Sequence, residues 1–259
     1  MSSSSSTTAA AAPLQLLGGE LSPFTLRARL ALELRGVPYD LVHEQLGPAK
    51  SDRLLAANPV YGKIPVLLLP DGRAICESAV IVQYLDNAPL PAPGAGGDHH
   101  TAAPPPPPPP PLLPEDPYER AMHRFWTAFA DDRLWPALDA VSLAPTADAR
   151  ARAAGDARAA LRLLEEALGA RGGGAAFFSG RDAAPGLLDV ALGCFLPAIR
   201  ACERLHGIAL VDAAATPRLQ RWSESLAALP AARRVMPETD KVVEFTRFLQ
   251  AKFGVPVTK

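Results

Sequence analysis

Residues 58–78, NPVYGKIPVLLLPDGRAICES, leave this chain few folds to choose from. Asn58-Pro59 ends a short helix over residues 51–57. The runs VLLL and RAIC flank a Pro-Asp-Gly turn, which reads as an antiparallel hairpin. Ser78 then opens a helix that continues through Tyr84. Upstream, residues 14–18 form a short apolar strand. Ser22 is placed as an N-cap, Pro23 suits the first helical turn, and Gly36 suits the position just past the helix end. Phe24, Ala28, Ala31 and Leu34 recur between them at helical spacing. Residues 39–43 supply a second strand. A strand-helix-strand unit of this length implies a parallel pair with a right-handed crossover.

Residues 14–90 therefore read β-α-β-α-β-β-α, a mixed four-stranded sheet with helices on both faces, which is the thioredoxin-like arrangement. From Asp116 onward the pattern changes. Ala, Leu, Arg and Glu dominate, and apolar residues recur every three or four over roughly 116–135, 147–170, 187–206, 217–229 and 238–253. The fold class is thus an α/β thioredoxin-like domain followed by an all-α domain. Between the two lies a Pro/Gly/Ala-rich connection ending in eight prolines, 104–111. Such a run is expected to extend as polyproline II outside any core, as a spacer or as a ligand for a proline-binding domain. The expected units are a flexible tail over 1–13, the first domain over 14–90, a disordered linker over 91–114 and the helical domain over 115–259.

Composition narrows the partners. The chain has 259 residues, 48% of them apolar, and a formal net charge of −1 with both signs spread along it. No basic stripe marks a nucleic-acid surface. No apolar run approaches the ~18–20 residues of a membrane span. Three cysteines, Cys76, Cys194 and Cys202, are too few for a disulfide framework or a zinc site, and a reducing compartment is the default. The acid-free start, MSSSSSTTAAAAP, contains no arginine and reads as a tail rather than a transit peptide. The expected location is the cytoplasm.

Four groups of residues carry chemistry. Ser22 heads a helix, where free N–H groups and a partial positive charge favour an anion and a hydroxyl can donate to a thiolate. Alone, the same serine is an ordinary N-cap. Glu77 and Ser78 stand together at another helix start and can divide a zwitterion. The hydroxyl and N–H of Ser78 take its carboxylate and Glu77 takes its ammonium. Alone, Ser78 is an N-cap and Glu77 a solvated acid. Lys50 and Lys63 precede the second helix and Pro65, from where both could reach a second carboxylate. An X–Pro bond such as Ile64–Pro65 is trans by default. A small peptide with a carboxylate at each end and a thiol between them fits this set, and glutathione is such a peptide. His43, His99, His100, His123 and His206 show no metal-ligand spacing. Cys194, Cys202 and Trp222 read as core, and Asp189 as the acid of a capping box at a buried helix start. Phe125, Trp126, Phe129 and Trp135 read as mostly core, with some free to line an apolar pocket.

These residues resemble the tau class of plant glutathione transferases. The resemblance rests on SPF at 22–24, NPV..KIPVLL at 58–68, CES..I.QYLD at 76–86, LLPEDPYERA at 112–121, RFW at 124–126 and LLDVAL at 187–192. It implies the cytosolic glutathione transferase fold, a cytosolic homodimer, and glutathione as cosubstrate with no cofactor or metal. Ser22 would activate the thiol. Lys50, Lys63, Ile64, Glu77 and Ser78 would bind the tripeptide, and Pro65 would be cis, turning the Ile64 backbone toward the cysteinyl moiety. Phe24, Phe129, Arg133, Ile199 and Phe245 would line a pocket for hydrophobic electrophiles. The reaction expected is attack of the thiolate on an activated aromatic carbon, an activated alkene or a peroxide oxygen. The alternative is a non-catalytic carrier of hydrophobic ligands. A thiol-transferase would need a cysteine where Ser22 stands. Two features depart from the class pattern. GGEL precedes Ser22 where many relatives carry aromatic residues, which is expected to reshape the electrophile pocket. The polyproline insertion has no counterpart.

Overall fold

The computed structural model describes residues 13–45, 50–88 and 108–255. Most of the expected tail and most of the expected linker lie outside these residues. Strands β1 (Leu14–Gly18), β2 (Tyr39–His43), β3 (Val66–Leu68) and β4 (Ala74–Cys76) form one sheet in the order β2-β1-β3-β4. β1 pairs parallel with β2 and antiparallel with β3, and β3 pairs antiparallel with β4. Side chains alternate between the two faces of a strand. Leu14, Leu16 and Leu67 accordingly join one buried cluster, while Leu17 and Val66 join another with Leu54. Helices α1 (Pro23–Leu34) and α3 (Ser78–Asn87) cover the first face. The short α2 (Asp52–Ala57), which carries Leu54, covers the second.

The helical half comprises α4 (Pro117–Phe129), a π-helical turn (Ala130–Leu134), α5 (Trp135–Leu143), α6 (Ala147–Arg171), α7 (Leu187–Gly193), α8 (Leu196–His206), α9 (Pro217–Ala228), α10 (Pro230–Val235) and α11 (Thr239–Lys252). Two expected helices change shape. The segment expected over 116–135 runs on to Leu143 through the π turn. The segment expected over 187–206 breaks at Cys194-Phe195, where Pro197 in the first turn of α8 brings no N–H to continue α7.

α1 departs furthest from the sequence reading. It packs against α3 on the sheet side and against α7 and α10 of the helical half. Burial therefore extends around the helix, from Thr25, Leu26 and Ala28 to Leu30, Ala31 and Leu32, and includes Arg27 at 1% exposure. The single apolar stripe expected from Phe24, Ala28, Ala31 and Leu34 is one side of a helix enclosed by two domains.

The end of the connection is also more fixed than expected. Leu112 and Leu113 are buried, and their N–H groups donate to the two carboxylate oxygens of Asp86 at 2.6 and 3.0 Å. Arg35 donates to the carbonyls of Pro109 and Pro110, and Arg181 to that of Pro111. These residues belong to the packed body, so the linker expected to reach residue 114 stops short of it. Asp189, 0% exposed, accepts from the N–H groups of Phe178, Ser179 and Gly186 and from Trp222 Nε1. It closes the start of α7 as its capping-box position suggests. Among the described residues no helix is long and apolar enough to cross a membrane, and no group of His, Cys, Asp and Glu could hold a metal ion.

Candidate active site

β1 runs into α1 through Gly18-Gly19-Glu20-Leu21. A Cβ on Gly18 would sit on the Thr25 methyl, so the strand and the first turn of α1 can approach this closely only at glycine. Ser22 follows as the N-cap. Its backbone is extended, at φ −80° and ψ 120°, and its Oγ accepts the Thr25 N–H at 3.3 Å. That bond uses an oxygen lone pair and leaves the hydroxyl proton free to donate.

Ser22 stands on the wall of a cavity of about 570 Å³. On one side Phe24 and Trp135 line it and meet edge to face at 5.6 Å, and Trp135 stacks at 5.2 Å on Phe195, which is fully buried. From α5, Trp135, Leu138, Asp139 and Ser142 line the cavity at helical spacing. From α11 come Val242, Phe245, Thr246 and Leu249. Gln250 Nε2 donates to the Ser142 carbonyl at 2.7 Å and ties α11 to α5.

Of the five residues expected around this pocket, Phe24 and Phe245 line it. Phe129 packs on Trp126 at 5.3 Å and against the core, Arg133 is exposed on the π turn, and Ile199 is buried in the core. Those three positions are implied by the resemblance; from this stretch it is Trp135, directly after the π turn, that lines the cavity. Phe125 is 55% exposed rather than core.

The polar side of the site is assembled by the loop and hairpin around Pro65. The Ile64–Pro65 peptide is cis. Ile64 lies just outside the β1–β3 ladder, which begins at Val66. Buried Asn58 holds the approach. Its side chain donates to the Lys63 carbonyl at 3.0 Å and accepts the Tyr61 N–H at 3.2 Å. A Cβ on Gly62 would lie 3.2 Å from Lys50 Nζ, so the Lys50 ammonium rests beside the residue that precedes Lys63. The two exposed lysines, distant in sequence, thus flank one loop.

Glu77 adopts φ 68° and ψ 117°, and no other non-glycine residue among those described has a positive φ. Such a conformation costs roughly 1–3 kcal/mol and persists where surrounding structure enforces it, often at a ligand site. Glu77, rather than Ser78, occupies the N-cap of α3, and its exposed side chain makes no capping bond. Ser78 is the first helical residue and is 5% exposed. Its hydroxyl accepts from Arg27 Nη1 at 3.1 Å. The N-cap expected at Ser78 is therefore corrected by one position, because the Glu77 carbonyl already accepts the first helical bond, from the Ile81 N–H at 2.9 Å.

Sequence reasoning passed over Arg27. Its guanidinium reaches Asp131 in the π turn through two bonds of 2.9 and 2.5 Å, the Ala191 carbonyl of α7 at 3.0 Å, and Ser78. It also lies 5.4 Å from the ring centroids of both Phe24 and Phe195. Burial works against its charge, yet neighbouring acidic groups hold its pKa above the ordinary arginine value. Burial pushes the Cys194 thiol up to about 11, so at neutral pH Asp131 is the anion that balances Arg27. One side chain thus joins the helix start at Ser78, the aromatic wall and the helical domain. The only sequence signal was an arginine one position from an apolar stripe.

The cysteines are poor nucleophiles here. Burial raises Cys76 above its usual value and takes Cys202, like Cys194, to about 11. A thiol-transferase would need a thiolate at the head of α1, and Ser22 occupies that place.

Comparison with known proteins agrees with this geometry. The family models for the glutathione S-transferase N-terminal and C-terminal domains match residues 21–88 and 147–225. The chain is 68% identical over 247 residues to probable glutathione S-transferase BZ2 of Zea mays, covering 95% of this chain and 100% of the relative. It is 43% identical to probable glutathione S-transferase GSTU6 of Oryza sativa subsp. japonica, covering 91% and 94%. Among solved structures, the tau class enzyme of mango, Mangifera indica, superposes with a TM-score of 0.79 at 38% identity, covering 93% of this chain and 100% of the other. Rice GST1 in complex with glutathione also gives 0.79, at 34% identity, covering 95% and 100%. The chain belongs to the glutathione S-transferases, in their tau class.

Proposed function

We propose that this glutathione transferase uses Ser22 to hold the glutathione sulfur as a thiolate for attack on hydrophobic electrophiles in the adjoining cavity. The observation that carries the reading is the Ser22 hydroxyl, its proton uncommitted, at the head of α1 and on the wall of the apolar cavity. An ordinary thiol of pKa ~8.5 is only ~3% ionised at pH 7. Lowering that pKa by ~2 units requires ~2.7 kcal/mol of preferential thiolate stabilisation. A hydrogen bond to a charged group contributes ~1.5–3 kcal/mol and a helix terminus ~0.3–1. Together they suffice without a general base.

The remaining groups divide the tripeptide. The N-terminus of α3 and the Ser78 hydroxyl receive the γ-glutamyl carboxylate, and Glu77 receives its ammonium. Lys50 and Lys63 receive the glycyl carboxylate, and the Ile64 backbone pairs with the cysteinyl unit as an added strand. Arg27 positions Ser78 rather than touching substrate. The new S–C bond forms as the electrophile's leaving group departs with its electron pair, or as an alkene takes up a proton. Attack on a peroxide oxygen would give the peroxidase reaction. Phe24 and Phe245, with Trp135, shape the electrophile pocket.

The protein is read as cytoplasmic and as a homodimer with no cofactor beyond its cosubstrate. Val60 and Tyr61, 77% and 58% exposed on the loop after α2, support an apolar contact with a second copy. Sedimentation of the wild type as a dimer, weakened by Val60→Asp, would test it. For the activity, the test is steady-state conjugation of glutathione to 1-chloro-2,4-dinitrobenzene, wild type beside Ser22→Ala. A drop of ten-fold or more in kcat/KM is expected. Undiminished activity in the variant would remove Ser22 from the chemistry. No wild-type activity in folded protein that binds glutathione would favour the carrier.

A further inference from the structure

Two carboxylates stand on the wall of the electrophile cavity without a partner. Glu20 lies in the Gly18–Leu21 connection, two residues before Ser22, and Asp139 lies on α5 between Trp135 and Ser142. Among the described residues neither makes an ion pair or a side-chain hydrogen bond. Both carboxylates are open to solvent at the cavity's edge, and partial desolvation by neighbouring groups raises the Asp139 carboxyl above its usual value. One basic group, Lys252, also lines the cavity, so two carboxylates face a single ammonium. The other polar groups on the wall, Ser22, Ser142, Thr246 and the Cys194 thiol, are neutral at pH 7.

We infer that Glu20 and Asp139 act as a charge filter on the second substrate, so that the site favours neutral or cationic aromatic electrophiles over those bearing a carboxylate. This rests on the reading of the cavity as the electrophile site beside Ser22. Three features converge on it. Phe24 and Trp135 on the wall offer an aromatic electrophile ring contacts but no positive charge to receive an anionic substituent. The two carboxylates are exposed, but the substrate between them lies against apolar walls that screen charge less than bulk water does, so an unpaired carboxylate is still felt across the cavity. The attacking thiolate is itself an anion, and a second anion on the electrophile would meet three negative groups with one lysine to balance them.

A unit charge ~8 Å from one carboxylate, at an effective dielectric of ~40, changes a rate or affinity about five-fold. The expected selectivity is therefore modest for each residue and larger for both. It shrinks as salt screens the exposed groups.

The experiment uses the full-length enzyme and three electrophiles built on the 4-chloro-3-nitrophenyl group, carrying para to chlorine a carboxylate, a carboxamide or a trimethylammonium. Each kcat/KM is divided by the uncatalysed rate with glutathione, which removes differences in intrinsic reactivity. The wild type is expected to prefer the cation to the carboxylate. Cation and carboxylate shift in opposite directions by about five-fold each, so Glu20→Gln is expected to lower that preference about 25-fold, Glu20→Gln with Asp139→Asn to lower it further, and Glu20→Lys to reverse it. A change of structure rather than charge would alter all three electrophiles together. A preference that stays within two-fold of the wild type in both the double variant and the charge reversal would overturn the inference, with the Ser22 reading intact. Failure of the wild type to turn over even the amide would overturn the Ser22 reading itself, and the filter with it.

Discussion

Arg27 offers a quantitative test of how the two domains build one site. Replacing it with methionine keeps much of the side chain's apolar bulk and removes the guanidinium. Four bonds disappear, two to Asp131 and one each to Ser78 and the Ala191 carbonyl. Breaking a buried ion pair from one side typically destabilises by ~3–5 kcal/mol, because the partner charge stays behind. Here the Asp131 side chain is 27% exposed and recovers some hydration, which favours the lower figure. The stranded Ala191 carbonyl adds ~1–3 kcal/mol, the desolvation penalty of an unsatisfied group. A net loss of about 4 kcal/mol is expected in urea unfolding at fixed protein concentration. Because Ser78 loses the donor that fixes its hydroxyl, KM for glutathione should rise several-fold more than KM for the electrophile. A second substitution, Asp131→Leu, isolates the pair. If the account holds, the double variant Arg27→Met with Asp131→Leu is more stable than the sum of the single losses by at least ~1.5 kcal/mol. A loss under ~1 kcal/mol for Arg27→Met, with glutathione KM unchanged, would refute the reasoning.

Three further outcomes follow from other parts of the molecule. Asp189 is fully buried, and burial raises its pKa from 3.8 to about 6. The folded state then binds its proton more tightly than the unfolded chain, so this group's contribution to stability is fullest below pH ~4 and declines as pH rises to ~6, by about 3 kcal/mol. Asp189→Asn, less stable at every pH through lost acceptors, should lack that decline, and wild-type and variant unfolding curves from pH 4 to 7 should converge. A gap that widens with pH would contradict the assignment. Deleting residues 92–103 should leave conjugation within two-fold of wild type, whereas extending the deletion through Leu113 removes two buried leucines and both bonds to Asp86 and should abolish stable folding. Trp135→Ala should raise KM for an aromatic electrophile five-fold or more while leaving glutathione KM alone, read from initial rates against each substrate in turn.

The fold was legible because its signals are local. The Asp71-Gly72 turn, the Ser22-Pro23 helix start and Gly36 each dictate backbone geometry within a few residues, and the strands and helices of the first domain lie where those signals put them. The residues proposed for glutathione, Lys63, Ile64, Glu77 and Ser78, sit next to the same kind of punctuation. The walls of the apolar cavity carried no such local signal. They come from α1, α5, α8 and α11, which meet only in the folded protein, and Phe129, Arg133 and Ile199 were placed there by resemblance rather than by a local signal. A period of three and four over Trp135, Leu138, Asp139 and Ser142 was there to be read once α5 was recognised as a separate helix. Arg27 was hidden for a different reason. A lone arginine on a helix reads as solvated, and only the burial of α1 between two domains turns it into a connector. The strained backbone at Glu77 likewise has no sequence signature, because glycine would be the expected residue there.

The account stands on thiolate stabilisation by Ser22. The most direct measurement is the pKa of the thiol of bound glutathione, followed by thiolate absorbance near 240 nm as pH is raised over the enzyme–glutathione complex, in wild type and in Ser22→Ala. The account requires a wild-type value about 2 units below that of the free thiol, and a return of at least 1 unit toward it in the variant, equivalent to ~1.4 kcal/mol. A bound thiol that titrates like free glutathione in the wild type, or a lowered pKa that survives the loss of the hydroxyl, would contradict it.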